Sequence, residues 1–196
     1  MKTVFLSLYV AFTFFTDPAR AATPPEELVT AMTEQLLAKT ALEPAPLDAA
    51  ALHDLVETVI MPNVDLRGMT ARAVGPRWRS AENLQKTQLM SAFEALLIKT
   101  YVGALSQAAG AKFRLKTSIP VDAVSREIRS EVARAGAAPV ALSYRMSLQA
   151  GDWKVTDVGV MDVWLVPTYH SQFAQVLQNS GVDGLIRVIA AQAQAR

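Results

Sequence analysis

The chain has 196 residues, with 19 basic and 18 acidic side chains and a net charge of +1. Near-neutral charge spread along the chain excludes the basic footprint of a nucleic-acid binder and the polybasic patch that holds a protein on anionic lipid. There is no Cys, so stability rests on the apolar core, and His53 and His170 stand too far apart to start a metal site.

Residues 1–21 read as a cleavable signal peptide. Lys2 precedes an apolar run from Val4 to Phe15, and Ala19-Arg20-Ala21 has the small-x-small form of a cleavage site. A run of 12 residues falls short of the roughly 20 that span a bilayer. Removing those 21 of 196 residues leaves 175, one domain over 22–196 with 17 basic and 17 acidic residues. The expected mature protein is secreted and soluble.

Thr23-Pro24-Pro25-Glu26 reads as a capping box with proline in the first turn, opening a helix through Leu28, Met32, Leu36 and Leu37. Leu42-Glu43-Pro44-Ala45-Pro46 breaks it. Asp48 caps a second helix carrying Leu52, Leu55, Val56, Val59 and Ile60, which Pro62 ends. A third, short helix follows Asn63 and stops at Gly75-Pro76. Ser80 is read as the cap of the longest helix, from Ala81 to about Ala109, with Gly110 after it. Its stripe is Leu89, Phe93, Leu96, Leu97, Tyr101, Ala104, Leu105 and Ala108, and the sheet is the expected partner of that stripe.

Strands follow. Phe113 and Leu115 alternate with Lys112, Arg114 and Lys116, and residues 124–132 form a second half-wet strand. Ala135-Gly136-Ala137 turns the chain into a third strand, where Leu142, Tyr144, Met146 and Leu148 alternate with Ser143, Arg145, Ser147 and Gln149. Ala150-Gly151-Asp152 makes a hairpin. On the return strand Trp153 and Val155 are odd but Val158 and Val160 are even, so a bulge is expected near Thr156-Asp157. About four antiparallel strands result. Beyond Pro167 the period is helical, through Phe173, Val176, Leu177, Val182, Leu185, Ile186 and Ile189, with Gly181 as a left-handed cap between two helices and Asp183 starting the second. The fold class is α+β, helices gathered on one face of a curved antiparallel sheet.

Asp157 and Asp162, with Tyr144 as a donor, are the only candidates for chemistry in the sheet, and solvation at a turn or strand edge is the plainer role for both. Ser143, Ser147 and Ser171 have no Gly-x-Ser-x-Gly context. No cofactor is expected.

Four blocks carry a resemblance: 55–75 (LVETVIMPNVDLRGMTARAVG), 77–105 (RWRSAENLQKTQLMSAFEALLIKTYVGAL), 153–158 (WKVTDV) and 169–186 (YHSQFAQVLQNSGVDGLI). Together they resemble the MlaC-like periplasmic phospholipid carriers, also called toluene-tolerance proteins. The resemblance implies a nuclear-transport-factor-like cone, a curved sheet wrapped around helices with an apolar cavity for acyl chains. It implies a non-enzyme that shuttles lipid between an inner-membrane ABC-type transporter complex and an outer-membrane lipoprotein complex. Periodicity alone leaves the apolar stripes as either dry core or cavity wall. The resemblance favours a ligand-binding wall made of Phe93, Leu97, Tyr101, Tyr144, Met146, Leu148, Val158, Val160, Val163, Trp164 and Phe173. The sequence departs from the family pattern at Met161, Asp162 and Trp164, which stand where the family has an acid, a glycine and a small residue. Trp164 is therefore expected either at the cavity, narrowing it toward a rigid or single-chain ligand such as a hopanoid-like lipid, or packed outward against the C-terminal helix.

Overall fold

The computed structural model describes residues 22–42, 48–106 and 110–194. The signal-peptide reading of residues 1–21, most of the 42–46 break and the end of the long helix (including Ala108) lie outside them, as do the side chains of Ala104 and Leu105.

Helix α1 spans Pro25–Leu42. Glu26 does not reach back to close a capping box. Its carboxylate instead accepts a hydrogen bond from the Ser118 hydroxyl and lies 3.4 Å from Arg126, tying the first turn to the sheet. Helix α2 (Ala49–Leu55) is capped by Asp48, whose carboxylate accepts from the Ala51 N–H at 2.8 Å. The helix then loosens into a π-turn over Val56–Ile60 and tightens into a 3₁₀ turn over Met61–Asn63, so Pro62 sits inside the last turn rather than beyond it. Asp65 caps α3 (Leu66–Val74) through the Gly68 N–H and docks it on the sheet, its own N–H donating to the Val155 carbonyl at 2.9 Å. Arg77–Ser80 forms α4, a single turn.

Ser80 does not cap the long helix α5 (Asn83–Ser106), because its hydroxyl donates to the Arg77 carbonyl. Gln85 closes that end by accepting from the Glu82 N–H at 3.0 Å. Helix α6 runs Leu165–Gln194 and breaks at Gly181, whose φ of 64° is a left-handed conformation that suits glycine. The Asp183 carboxylate accepts from the Gln85 amide at 2.7 Å, pinning α6 to α5.

The sheet is curved, antiparallel and ordered β1-β2-β3-β4-β5: Lys112–Pro120, Ser125–Ala133, Val140–Gln149, Asp152–Val160 and Val163–Trp164. The fifth strand corrects the expected count of about four. The chain does not run straight from Val160 to Val166 but turns through Met161 and Asp162, both at positive φ (48° and 66°), and pairs Val163 with Val160. The bulge falls where the phase slip placed it. Arg145 pairs with Asp157 and Met146 with Val155, leaving Thr156 as the extra residue and turning Val155 and Val158 to one face.

Two apolar clusters hold the layers. One joins α1 to the sheet through Val29, Met32, Ile128, Tyr144, Met146 and Val155. The other joins α3, α5 and α6 around Phe93, Tyr169 and Phe173, whose ring centroids lie 5.0–5.6 Å apart. Helix α5 therefore packs mainly on α6, with α2 and α3 beside it, and not along the sheet as its stripe suggested. What separates α5 from the sheet is a cavity.

Candidate functional site: an apolar cavity

The cavity has a volume of about 530 Å³ and an overwhelmingly apolar wall, within the range of small-molecule sites. Helix α1 contributes Met32, Thr33, Leu36 and Leu37. The π-turn and its continuation contribute Val56, Ile60 and Met61, and Val64, Leu66 and Met69 follow from the entry and first turns of α3. Helix α5 contributes Glu94, Leu97, Ile98 and Tyr101. The sheet supplies Val132, Val140, Leu142, Tyr144, Val155, Val158 and Val160, and Leu165 closes the wall at the start of α6.

Local chemistry explains why these side chains meet. On β3 the period of two sends Leu142 and Tyr144 inward, and on β4 the bulge brings Val155, Val158 and Val160 to the same face. The α5 stripe passes from dry core at Phe93, 0% exposed, to half-buried Leu97 and Tyr101 one and two turns later. It leaves the α6 seam and enters open volume. The π-turn widens α2 by one residue per turn, placing Val56 and Ile60 on the wall.

The polar groups on the wall are engaged. The Tyr144 hydroxyl is bonded to Thr33 and Ser130, and burial pushes its pKa up. Tyr101 is pushed up to about 12 by burial and by its bond with Tyr169. Burial and the neighbouring Glu57 carboxylate hold Glu94 above the usual carboxylate range, against the opposing pull of His53. Among the described residues no buried side-chain nitrogen or oxygen lacks a hydrogen-bond partner, and no cluster of His, Asp or Glu has metal-ligand geometry.

Of the residues expected on the wall, Leu97, Tyr101, Tyr144, Val158 and Val160 line the cavity. Phe93 and Phe173 do not; with Tyr169 they make the dry aromatic cluster. Met146, 1% exposed, is packed between α1 and the sheet, and Leu148 is half-buried further along β3. Val163 is 58% exposed beside the β4–β5 turn.

Trp164 also lies elsewhere. It pairs with Gly159, which alternates with the wall residues Val158 and Val160 and so faces the opposite side of the sheet. There its ring stacks under the Arg145 guanidinium. The expected narrowing of the cavity by an indole is thus corrected, and no indole restricts the cavity to a rigid or single-chain ligand.

Asp157 shares that outer face. Its Oδ1 accepts from the Val158 and Val166 N–H groups at 2.9 and 3.0 Å, fixing the start of α6, and Arg145 lies 3.6 Å away. Burial raises its pKa against those partners. Asp162 occupies the exposed hairpin turn. Neither carboxylate joins Tyr144 at the wall, so the acid/base arrangement weighed from the sequence is not assembled.

Sequence reasoning passed over the α1 wall, the π-turn, Glu94, Ile98 and Arg134. The α1 spacing Met32, Leu36, Leu37 was legible as an apolar stripe, but a stripe does not say whether side chains or empty volume face it. Nothing local announces the π-turn.

Residues 29–191 match the family model described as MlaC protein. The chain is 24% identical over 143 residues to the intermembrane phospholipid transport system binding protein MlaC of Haemophilus influenzae, covering 71% of this chain and 67% of that one. Among solved structures it is similar to the phospholipid-binding protein of Ralstonia solanacearum, solved in complex with a phospholipid. That match has 31% identity and a TM-score of 0.80, covering 86% of this chain and 96% of the other.

Proposed function

The chain belongs to the MlaC family, and from that premise we propose that it is a periplasmic carrier of phospholipid. In this reading the signal peptide over residues 1–21 is removed and the single domain 22–196 shuttles lipid between an outer-membrane lipoprotein complex and an inner-membrane ABC-type transporter complex. It performs no chemistry on its cargo. No helix among the described residues is long and apolar enough to cross a membrane, which suits a protein that moves between two of them.

The observation that carries the reading is the cavity of about 530 Å³ held open between α5 and the sheet, with an almost wholly apolar wall. Interiors normally close such volumes, because unfilled space forfeits packing energy. Filling by acyl chains restores that energy. Exposing a methylene to water costs about 0.8 kcal/mol, so a two-chain lipid with roughly 30 methylenes meets a barrier of about 20–25 kcal/mol in free aqueous transfer. A cavity that buries most of that surface makes exchange between bilayer and carrier nearly balanced, and direction then comes from the partner complexes. Met32, Met61 and Met69 line this space and Met146 packs in the core beside it, and the flexible side chains on the wall suit cargo of varied chain length.

The test is native mass spectrometry of the purified protein, followed by lipid extraction. Co-purifying phospholipid is the expected result. Protein recovered free of lipid that also takes none up from phospholipid vesicles would contradict the reading.

A further inference from the structure

The inner row of β2 reads Ile128, Ser130 and Val132, and Arg134 follows just past the end of the strand. Ile128 is 0% exposed and Ser130 3%, Val132 is half-buried on the cavity wall, and Arg134 is exposed yet also on the wall. At about 3.3 Å per residue the row runs roughly 20 Å from dry core to Arg134. The β1–β2 register ends with Lys112 opposite Ala133, and the next residue on each side, Ala111 and Arg134, lines the wall. Ala137 and Ala138, in the turn to β3, line the same end. Arg134 therefore stands where the apolar wall meets solvent, at the mouth.

Among the described lining residues Arg134 is the only cation. The only anion among them, Glu94, belongs to α5 and is engaged with Glu57 of the π-turn and His53 of α2. The cavity thus offers apolar walls inside and one guanidinium at its opening.

We propose that Arg134 binds the phosphodiester of the carried lipid, a headgroup contact that fixes how far the acyl chains enter. This rests on the carrier reading above. A planar guanidinium presents parallel N–H donors matched to two phosphate oxygens, and such charge-assisted pairs are about twice as strong as neutral ones. Position and chemistry agree: the chains lose water along Val132, Val140 and Leu142, while the phosphate stays at the wet end beside the Arg134 guanidinium. Lys at this position would supply the charge without the fork.

The purified protein is incubated with vesicles holding phosphatidylglycerol, diacylglycerol and free fatty acid of matched chains, and bound lipid is quantified by mass spectrometry. Wild type is expected to favour phosphatidylglycerol over diacylglycerol. Arg134→Gln is expected to lose about tenfold of that preference while still loading diacylglycerol, and Arg134→Lys to keep part of it. The melting transition of each variant is recorded alongside, and Arg134→Lys, which keeps the charge, separates loss of the phosphate contact from a loss of folded protein. An unchanged preference in Arg134→Gln overturns the assignment, as does a loss confined to the fatty-acid arm, which would mark a carboxylate site instead. Wild-type loading with no preference for the phospholipid overturns the Arg134 contact alone. Failure of wild type to load any lipid overturns the carrier reading as well.

Discussion

The Arg145 guanidinium lies 3.9 Å above the centre of the Trp164 ring, on the face of the sheet turned away from the cavity. The ring also covers Gly159, where an added Cβ would sit 3.2 Å from the indole carbons. Trp164, Arg145 and Gly159 thus form one stack that roofs Asp157 and the start of α6. Trp164→Ser is expected to cost about 1–2 kcal/mol through the lost stack and burial, while the bound lipid profile stays that of wild type. Denaturant melts and lipid extraction of the same sample check both halves, and a shift toward larger lipids would return the indole to the cavity.

Met161 is held at φ 48°, 67% exposed, in the turn between β4 and β5. A long side chain gains nothing there and carries the strain of a left-handed backbone. Met161→Gly is expected to stabilise the protein by about 0.5–1 kcal/mol, read as a rise in the denaturation midpoint with unchanged slope. A fall would mean that the Met161 side chain makes a contact this geometry lacks.

Gly68 sits directly over the Asp65 carboxylate, with its N–H donating to Oδ1 at 2.8 Å. A Cβ at this position would lie 2.0 Å from Oδ2. Gly68→Ala therefore has to break the cap that joins α3 to the sheet, at a cost of about 1–2 kcal/mol, the reverse of the usual gain from Gly to Ala in a helix. Since Leu66 and Met69 of α3 line the cavity, weaker lipid retention is expected alongside the lower melting temperature.

Glu26 carries the acid sensitivity of the α1–sheet junction. Burial pushes its pKa up, but the Ser118 hydroxyl, its own backbone N–H and Arg126 together outweigh that and hold it below the ordinary value of 4.5. A depressed folded pKa gives stability that is present above 4.5 and lost as the pH falls through the folded value. Glu26→Gln is expected to be less stable than wild type at pH 7, by about 0.2–1 kcal/mol for a partly exposed pair. The gap should close in strongly acid solution. Melting curves of both proteins across pH 2–8 (a range of about six units around the carboxylate titration) measure it; a gap constant with pH would place the effect in packing instead of charge.

The elements with clear periodicity were legible in the residues. The slip from Val155 to Val158 located the bulge near Thr156-Asp157, and Gly181 marked the break in α6, because each is a local consequence of chain geometry. Partners across space were less legible. The stripe of α5 was visible, yet Phe93 meets α6 while Leu97 and Tyr101 meet open volume, and residues four apart on one stripe look alike in sequence. Trp164 was misplaced for a related reason. Continued as one straight strand to Val166, Trp164 would share the inward phase of Val158 and Val160; the turn at Met161-Asp162 reverses the chain and sends it outward.

The central claim is that the space between α5 and the sheet holds the acyl chains. Leu97, half-buried on α5, points its side chain into that space, so Leu97→Trp fills volume instead of displacing packed neighbours and should cost less than about 1 kcal/mol. The decisive measurement is phospholipid per chain, by extraction and mass spectrometry, in wild type and Leu97→Trp after identical incubation with vesicles. A stoichiometric lipid in wild type that falls sharply in a folded Leu97→Trp protein is the expected result. Equal lipid content in the two proteins would contradict the account.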